Sequence, residues 1–202
     1  MPFNCTTLFK LFCFCIATLV FGCKKQDLSK LDTYTSEGFI TAVIEIPAGT
    51  TKKIEYNKQL LEFKVDQING KDRLIKFLPY LGNYGFIPGT LSDKTKGGDG
   101  DPLDIIVLSD TKQTGTVLSV IPIAVLRIVD EGEEDDKIIA VPEKTTDRIL
   151  DVETYIEWQE RYPASITMLL TWYNNYDTSG QNVILGIEDE TVAKTIITKW
   201  QL

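Results

Sequence analysis

Apolar and polar positions change their rhythm three times along the chain. Leu11–Phe21 is an uncharged, apolar run interrupted only by Thr18, behind the lone charge of Lys10. A helix needs about 20 such residues to cross a hydrocarbon core, so this run suits the centre of a secretion signal over residues 1–22. From Cys23 to about Gly38 the chain is polar without a sustained period, which predicts a tether over 23–38 and a folded domain over 39–202. Phe39–Pro47 is β-branched and ends at proline, and Ile54–Val65 alternates loosely; both read as strands around a turn at Ala48-Gly49. Ile105–Leu108, Val117–Val129 and Lys137–Val141 are further apolar runs bounded by Gly, Pro and Asp. Short strands without helical patterns between them predict an antiparallel barrel. After Pro142 the apolar spacing becomes three and four, over Asp147–Trp158, Pro163–Tyr176 and Glu188–Trp200. Helices gathered at the end make the fold class α+β, with the barrel flanked by C-terminal helices.

All four cysteines fall within the first 23 residues, so the folded body carries none. Leu19-Val20-Phe21-Gly22-Cys23 resembles the bacterial lipobox, although Phe21 stands where a small residue is usual. The resemblance implies a lipid on Cys23, holding the protein to a membrane at the cell envelope. Ordinary signal cleavage or an uncleaved anchor is the other reading. Removing the leader takes away one cation, Lys10, and no acid, leaving 20 basic against 29 acidic residues, or −9. That balance disfavours a nucleic-acid partner, and it favours cation binding only if the acids converge.

Two acidic clusters are candidates for such convergence. Gly98-Asp99-Gly100-Asp101-Pro102-Leu103-Asp104 presents three carboxylates within six residues, immediately before a strand. Pro102 biases Asp101 toward extended backbone. An EF-hand fits poorly, because Leu103 and Asp104 sit where that loop needs an oxygen ligand and a glycine. Asp130-Glu131-Gly132-Glu133-Glu134-Asp135-Asp136-Lys137 connects two apolar strands. Taken alone, each cluster also reads as a solvated surface turn. Brought together, carboxylates about 4 Å apart would repel by about 4 kcal/mol per pair at an effective dielectric of about 20, which only cations reward. The chain has no histidine and the body no thiol, so an all-oxygen site points to a hard ion, magnesium first, with manganese or calcium behind it. The same absence removes histidine triads and zinc hydrolases. Lys53, Arg73, Tyr84 and Lys137 offer complementary donors for phosphate, though singly each suits an ordinary surface or core position.

At this point the motifs are those of a known family. Ile44-Glu45-Ile46-Pro47, then Asn83-Tyr84-Gly85-Phe86-Ile87-Pro88, then Asp99-Gly100-Asp101-Pro102-Leu103-Asp104, then the Asp130 to Lys137 loop, together resemble soluble family I inorganic pyrophosphatases from about Phe39 to the C-terminus. The resemblance implies a five-stranded, OB-like barrel with a polar cavity at one end for several Mg²⁺ ions, Mn²⁺ being a possible substitute, and pyrophosphate. Asp99, Asp104, Asp130 and Asp135 resemble metal ligands, with Glu45 and Glu55 completing the acidic wall, and Asp101 resembles the catalytic base. Lys53, Arg73, Tyr84, Lys137 and Tyr176 match phosphate-binding positions, with Tyr80 beside them. A homo-oligomer is compatible with the likeness. One departure stands out: Asp177 follows Tyr176 where the family usually carries lysine. The alternative reading is a lipoprotein that keeps the metal and phosphate cavity on the same barrel but is impaired in turnover.

Overall fold

The structure, a computed structural model, describes residues 25–177 and 182–202. The signal segment and Cys23 lie outside the described residues. The described residues form eleven strands: β1 (Ile40–Ile46), β2 (Ile54–Asn57), β3 (Glu62–Val65), β4 (Gln67–Ile68), β5 (Lys71–Asp72), β6 (Asn83–Phe86), β7 (Asp104–Val107), β8 (Val117–Asp130), β9 (Glu133–Glu134), β10 (Lys137–Pro142) and β11 (Asn182–Asp189). The helices are α1 (Tyr155–Arg161), α2 (Pro163–Asn175) and α3 (Glu190–Trp200).

Strands β1, β6, β7, β10 and β8 follow one another around a ring that the β1–β8 pairing closes. This is the OB-like barrel of an α+β fold. Strand β8 makes the closure possible because its 14 residues change neighbours along their length. Val117–Val120 pair with β1, Val120–Leu126 with β10, and Ala124–Asp130 with β11. Pro122 cannot donate to a ladder, and it sits where the β8–β10 register slips.

The barrel departs from the antiparallel expectation at one seam. Strands β7 and β10 run parallel, with Asp104 opposite Lys137 and Val107 opposite Ala140. A parallel seam brings the starts of both strands to the same end of the barrel, and therefore also the acidic loops that lead into them. Had this seam been antiparallel, the two loops would have opened at opposite ends.

Both faces of the barrel strands are covered, which is why β10 is buried throughout and reads as a continuous apolar run. On one face Ile44, Ile105, Val107, Val125 and Ile138 pack with Ala193, Ile197 and Trp200 of α3. On the other, Ile106, Ile139, Leu126 and Ile128 pack with Trp158 of α1 and with Leu169, Trp172 and Tyr173 of α2.

Other differences from the sequence reading have local causes. The helix expected over Asp147–Trp158 begins at Tyr155, where the Thr154 side chain caps the Glu157 N–H. The helix expected from Glu188 begins at Glu190, because Asp189 caps Thr191 and Val192 while Glu188 remains in β11. The Ile54–Val65 segment is a hairpin of β2 and β3 rather than one strand. Within the expected tether over 23–38, the Asp27–Thr33 stretch touches the folded body. Thr33 is buried and its hydroxyl donates to Pro88 O at 2.9 Å. Leu28 and Leu31 pack against Tyr56 and Phe86, so apolar residues isolated among polar ones still found a surface to cover.

Candidate active site

The parallel seam builds the centre of the site. Lys137, only 4% exposed, points its ammonium at Asp104 Oδ2, 2.6 Å away, and at Asp135. The Tyr84 hydroxyl, presented by β6, donates to the same Asp104 oxygen. The loops before the two strands are also tied to each other: Glu134 N donates to Gly97 O at 2.7 Å, and Gly98 bridges to Glu134.

The Asp99–Asp104 turn is held from beneath by backbone. Gly100 N donates to Ser92 O and Ser92 N to Asp101 O. Gly100 has φ of 88°, in the left-handed region that favours glycine. Asp99 Oδ1 accepts from Asp101 N at 3.0 Å, closing an Asx turn. Asp101, itself exposed, is thereby held by backbone bonds that do not use its carboxylate.

All thirteen residues nominated on the folded body line one cavity of about 330 Å³: Glu45, Lys53, Glu55, Arg73, Tyr80, Tyr84, Asp99, Asp101, Asp104, Asp130, Asp135, Lys137 and Tyr176. They arrive from β1, β2 and the residue before it, the segment between β5 and β6, β6 itself, both acidic loops with the strands they enter, and the end of α2. Lys53 pairs with Glu55 at 3.0 Å and Arg73 with Asp66 at 3.3 Å. An aromatic wall backs the phenols, with Trp172 stacked on Tyr176 at 4.6 Å and Tyr80 tilted against Trp172 at 5.1 Å. Trp172 is itself fixed by an indole bond to Leu78 O at 2.9 Å. Asn182, with its amide oriented to satisfy its neighbours, donates to Asp130 at 2.7 Å and accepts from the Tyr176 hydroxyl at 3.2 Å.

Sequence reasoning missed Tyr56, Lys58 and Tyr173, which also line the cavity, as do Glu131 and Glu133 of the second acidic cluster. Tyr173 lay inside the aromatic run after Trp172 and Tyr56 beside Glu55, so adjacency was the available signal. The Asp177 departure has a structural counterpart, since Asp177 does not line the cavity while Tyr176 does. Lys94 lies with its methylenes against Gly100, beside the acidic turn.

The electrostatics describe a site short of positive charge. Burial pushes the Glu45 carboxyl up to about 8, opposed by the N–H of Tyr56 and reinforced by Asp104 and Glu55. Burial likewise raises Asp135 to about 6, with Lys137 opposing and Asp104 adding to it. Asp99 is raised for the same first reason. Burial works against the Lys137 ammonium, but Asp104 and Asp135 outweigh it and hold its pKa well above the ordinary lysine range. Tyr84 is raised by burial and then by Asp104, so it faces the cavity as a neutral donor.

These features test whether the site suits divalent cations. The donors are carboxylate oxygens, as a hard ion requires. One cationic group, the Lys137 ammonium, already stands between Asp104 and Asp135. Among the described residues no three acids are yet drawn around a single point, but Glu45, Asp99 and Asp135 are each biased toward protonation, which a bound cation would reverse. The residues fit the ions.

A barrel with a cation-hungry acidic cavity rimmed by lysine, arginine and phenols belongs to the class that handles phosphate through divalent metal. The comparisons agree. The profile of the family described as Inorganic pyrophosphatase matches residues 42–202. An inorganic pyrophosphatase from Halobacterium salinarum is 35% identical over 159 residues, 78% of this chain and 84% of that protein. One from Nostoc sp. is 31% identical over 175 residues, 85% of this chain and 95% of that protein. The crystal structure of an inorganic pyrophosphatase from Neisseria gonorrhoeae superposes with a TM-score of 0.67 at 30% identity, covering 80% of this chain and 88% of that one. The chain belongs to the inorganic pyrophosphatase family, and it is by class a hydrolase.

Proposed function

We propose that the cavity hydrolyses inorganic pyrophosphate to two phosphates with magnesium, in an enzyme anchored to the cell envelope by lipid on Cys23. The observation that carries the catalytic part is the meeting of the Asp99–Asp104 and Asp130–Lys137 loops across the parallel β7–β10 seam. Asp99, Asp104, Asp130 and Asp135 would hold magnesium, with Glu45 and Glu55 on the outer wall. When bound, such ions spread the charge of pyrophosphate and acidify the attacking water. The chain's own groups do the rest. Lys53, Arg73, Tyr84, Lys137 and Tyr176, with Tyr80 beside them, bind and orient phosphate oxygens. Asp101, exposed and unencumbered at the mouth of the turn, takes the proton from water.

An impaired binding protein on the same barrel is the second reading, favoured by Asp177. The presence of Asp101 on the cavity lining weakens it. Asp104→Asn is expected to raise the magnesium concentration for half-maximal phosphate release about tenfold or more. An unchanged requirement in a magnesium titration would remove Asp104 from the ligand set.

Membrane attachment rests on the leader and has its own test. The full chain expressed in a lipoprotein-processing bacterium is expected to sediment with membranes and to carry the mass of a diacylglyceryl modification, both lost in Cys23→Ser. Equal fractionation of the two proteins would overturn the anchor while leaving the enzyme reading intact.

A further inference from the structure

The family match begins at residue 42, yet chain upstream of it reaches the cavity wall. The β2–β3 hairpin, which carries Glu55 and Tyr56 and directly follows Lys53, is a separate two-stranded sheet outside the barrel ladder. A lone hairpin is marginally stable in water, so one that must hold site residues needs a clamp. Asp27–Thr33 lies against it. Leu28 and Leu31 pack on the cluster of Val43, Tyr56 and Phe86. The Tyr56 ring, 9% exposed, sits between Phe63 at 5.0 Å and Phe86 at 5.9 Å. A buried tyrosine needs a partner for its hydroxyl. Here the upstream segment supplies both: Leu28 N donates to the hydroxyl at 3.1 Å, and the hydroxyl donates to Asp27 Oδ1 at 3.3 Å. At the other end of the same residue, Tyr56 N donates to Glu45 Oε1 at 2.7 Å. The segment is secured in turn on the barrel side, where Thr33 bonds Pro88 O and Gly89 N donates to Ser29 O at 3.4 Å.

We infer that Asp27–Thr33 is a strap of the active site, in which Asp27 and Tyr56 act as positioning residues that fix the β2–β3 hairpin and aim the Glu45 carboxylate into the cavity. The inference rests on reading that cavity as the hydrolytic site. It assigns a role in the site to chain that precedes the family's matched region. In sequence Asp27 follows Cys23 by four positions, so the same segment also carries the connection to any anchor.

The test uses the full chain as wild type, Tyr56→Phe and Asp27→Ala. Tyr56→Phe keeps the ring and removes only the hydroxyl link, while Asp27→Ala removes one partner and leaves Leu28 N in place. Two quantities are read: Mn²⁺ binding by calorimetry without substrate, and the kinetics of pyrophosphate hydrolysis in magnesium. Both variants are expected to fold with unchanged circular dichroism, to bind Mn²⁺ about three- to tenfold more weakly and to show a similar rise in KM. Their kcat at saturating metal and substrate should stay within about twofold of wild type. A merely structural strap would lower Tm and the active fraction while Mn²⁺ affinity and KM stayed constant, and that result overturns the inference. If wild type itself releases no phosphate, the functional reading fails separately. The Mn²⁺ affinities of the three proteins still decide the strap, equal values counting against it and weaker binding by both variants supporting it.

Discussion

Asp101→Asn is expected to fold like the wild type and to lose turnover by about 10²- to 10⁴-fold, the contribution of a positioned general base. Folding should survive because the turn is built from backbone bonds that asparagine keeps: Ser92 N to Asp101 O, Gly100 N to Ser92 O, and Asp101 N to Asp99 Oδ1. Asparagine is near in shape but cannot take a proton, so kcat should fall while KM and the melting temperature hold. Steady-state kinetics with a parallel thermal melt checks both. Activity near that of wild type would strip Asp101 of the role, and a collapsed melt would mean its carboxylate supports the turn in a way its bonds do not suggest.

Gly85→Ala should give the largest loss of stability in the barrel, more than about 4 kcal/mol, with the protein recovered in the insoluble fraction or melting far earlier. Gly85 lies in the middle of β6, opposite Ile44 of β1 and Ile105 of β7. A methyl there would be driven into the carbonyl of Val43 and the Cα of Ile44. These are backbone atoms of the adjoining strand, so no side-chain rotation relieves the clash, and the β1–β6 seam must open. That seam positions Glu45 on one strand and Tyr84 on the other, so a surviving fraction should also be poorly active. Urea unfolding measures the loss directly. A change of less than about 0.5 kcal/mol would contradict the close approach of the two strands.

Local chemistry was legible: the acids of both loops announced themselves by density, and Lys53, Arg73 and the tyrosines by the family's motif order. Strands β1, β8 and β10 showed as β-branched runs because both of their faces are buried. Strand β6 was hidden because Asn83-Tyr84-Gly85-Phe86 carries turn-forming residues, one of which is needed for close backbone approach. Strand β11 was hidden because Gly186, with φ of 131°, breaks the alternation at a register slip against β8. The parallel seam could not be read at all, since strand direction is set by distant packing rather than by neighbours in sequence. It is nevertheless the feature that unites the two acidic loops. The strap was passed over for a related reason: Leu28 and Leu31 amid polar residues show no period, and their partners Tyr56 and Phe86 lie far along the chain.

Divalent ions gathered by the two loops at one end of the barrel are what the proposed hydrolysis requires. The most direct measurement is phosphate release from pyrophosphate by the full chain, with magnesium titrated from a chelated start. Release that is absent with the chelator, rises to saturation as magnesium is restored, and is lost again in Asp101→Asn is the predicted result. No release at any magnesium concentration, or release indifferent to chelation, would contradict it.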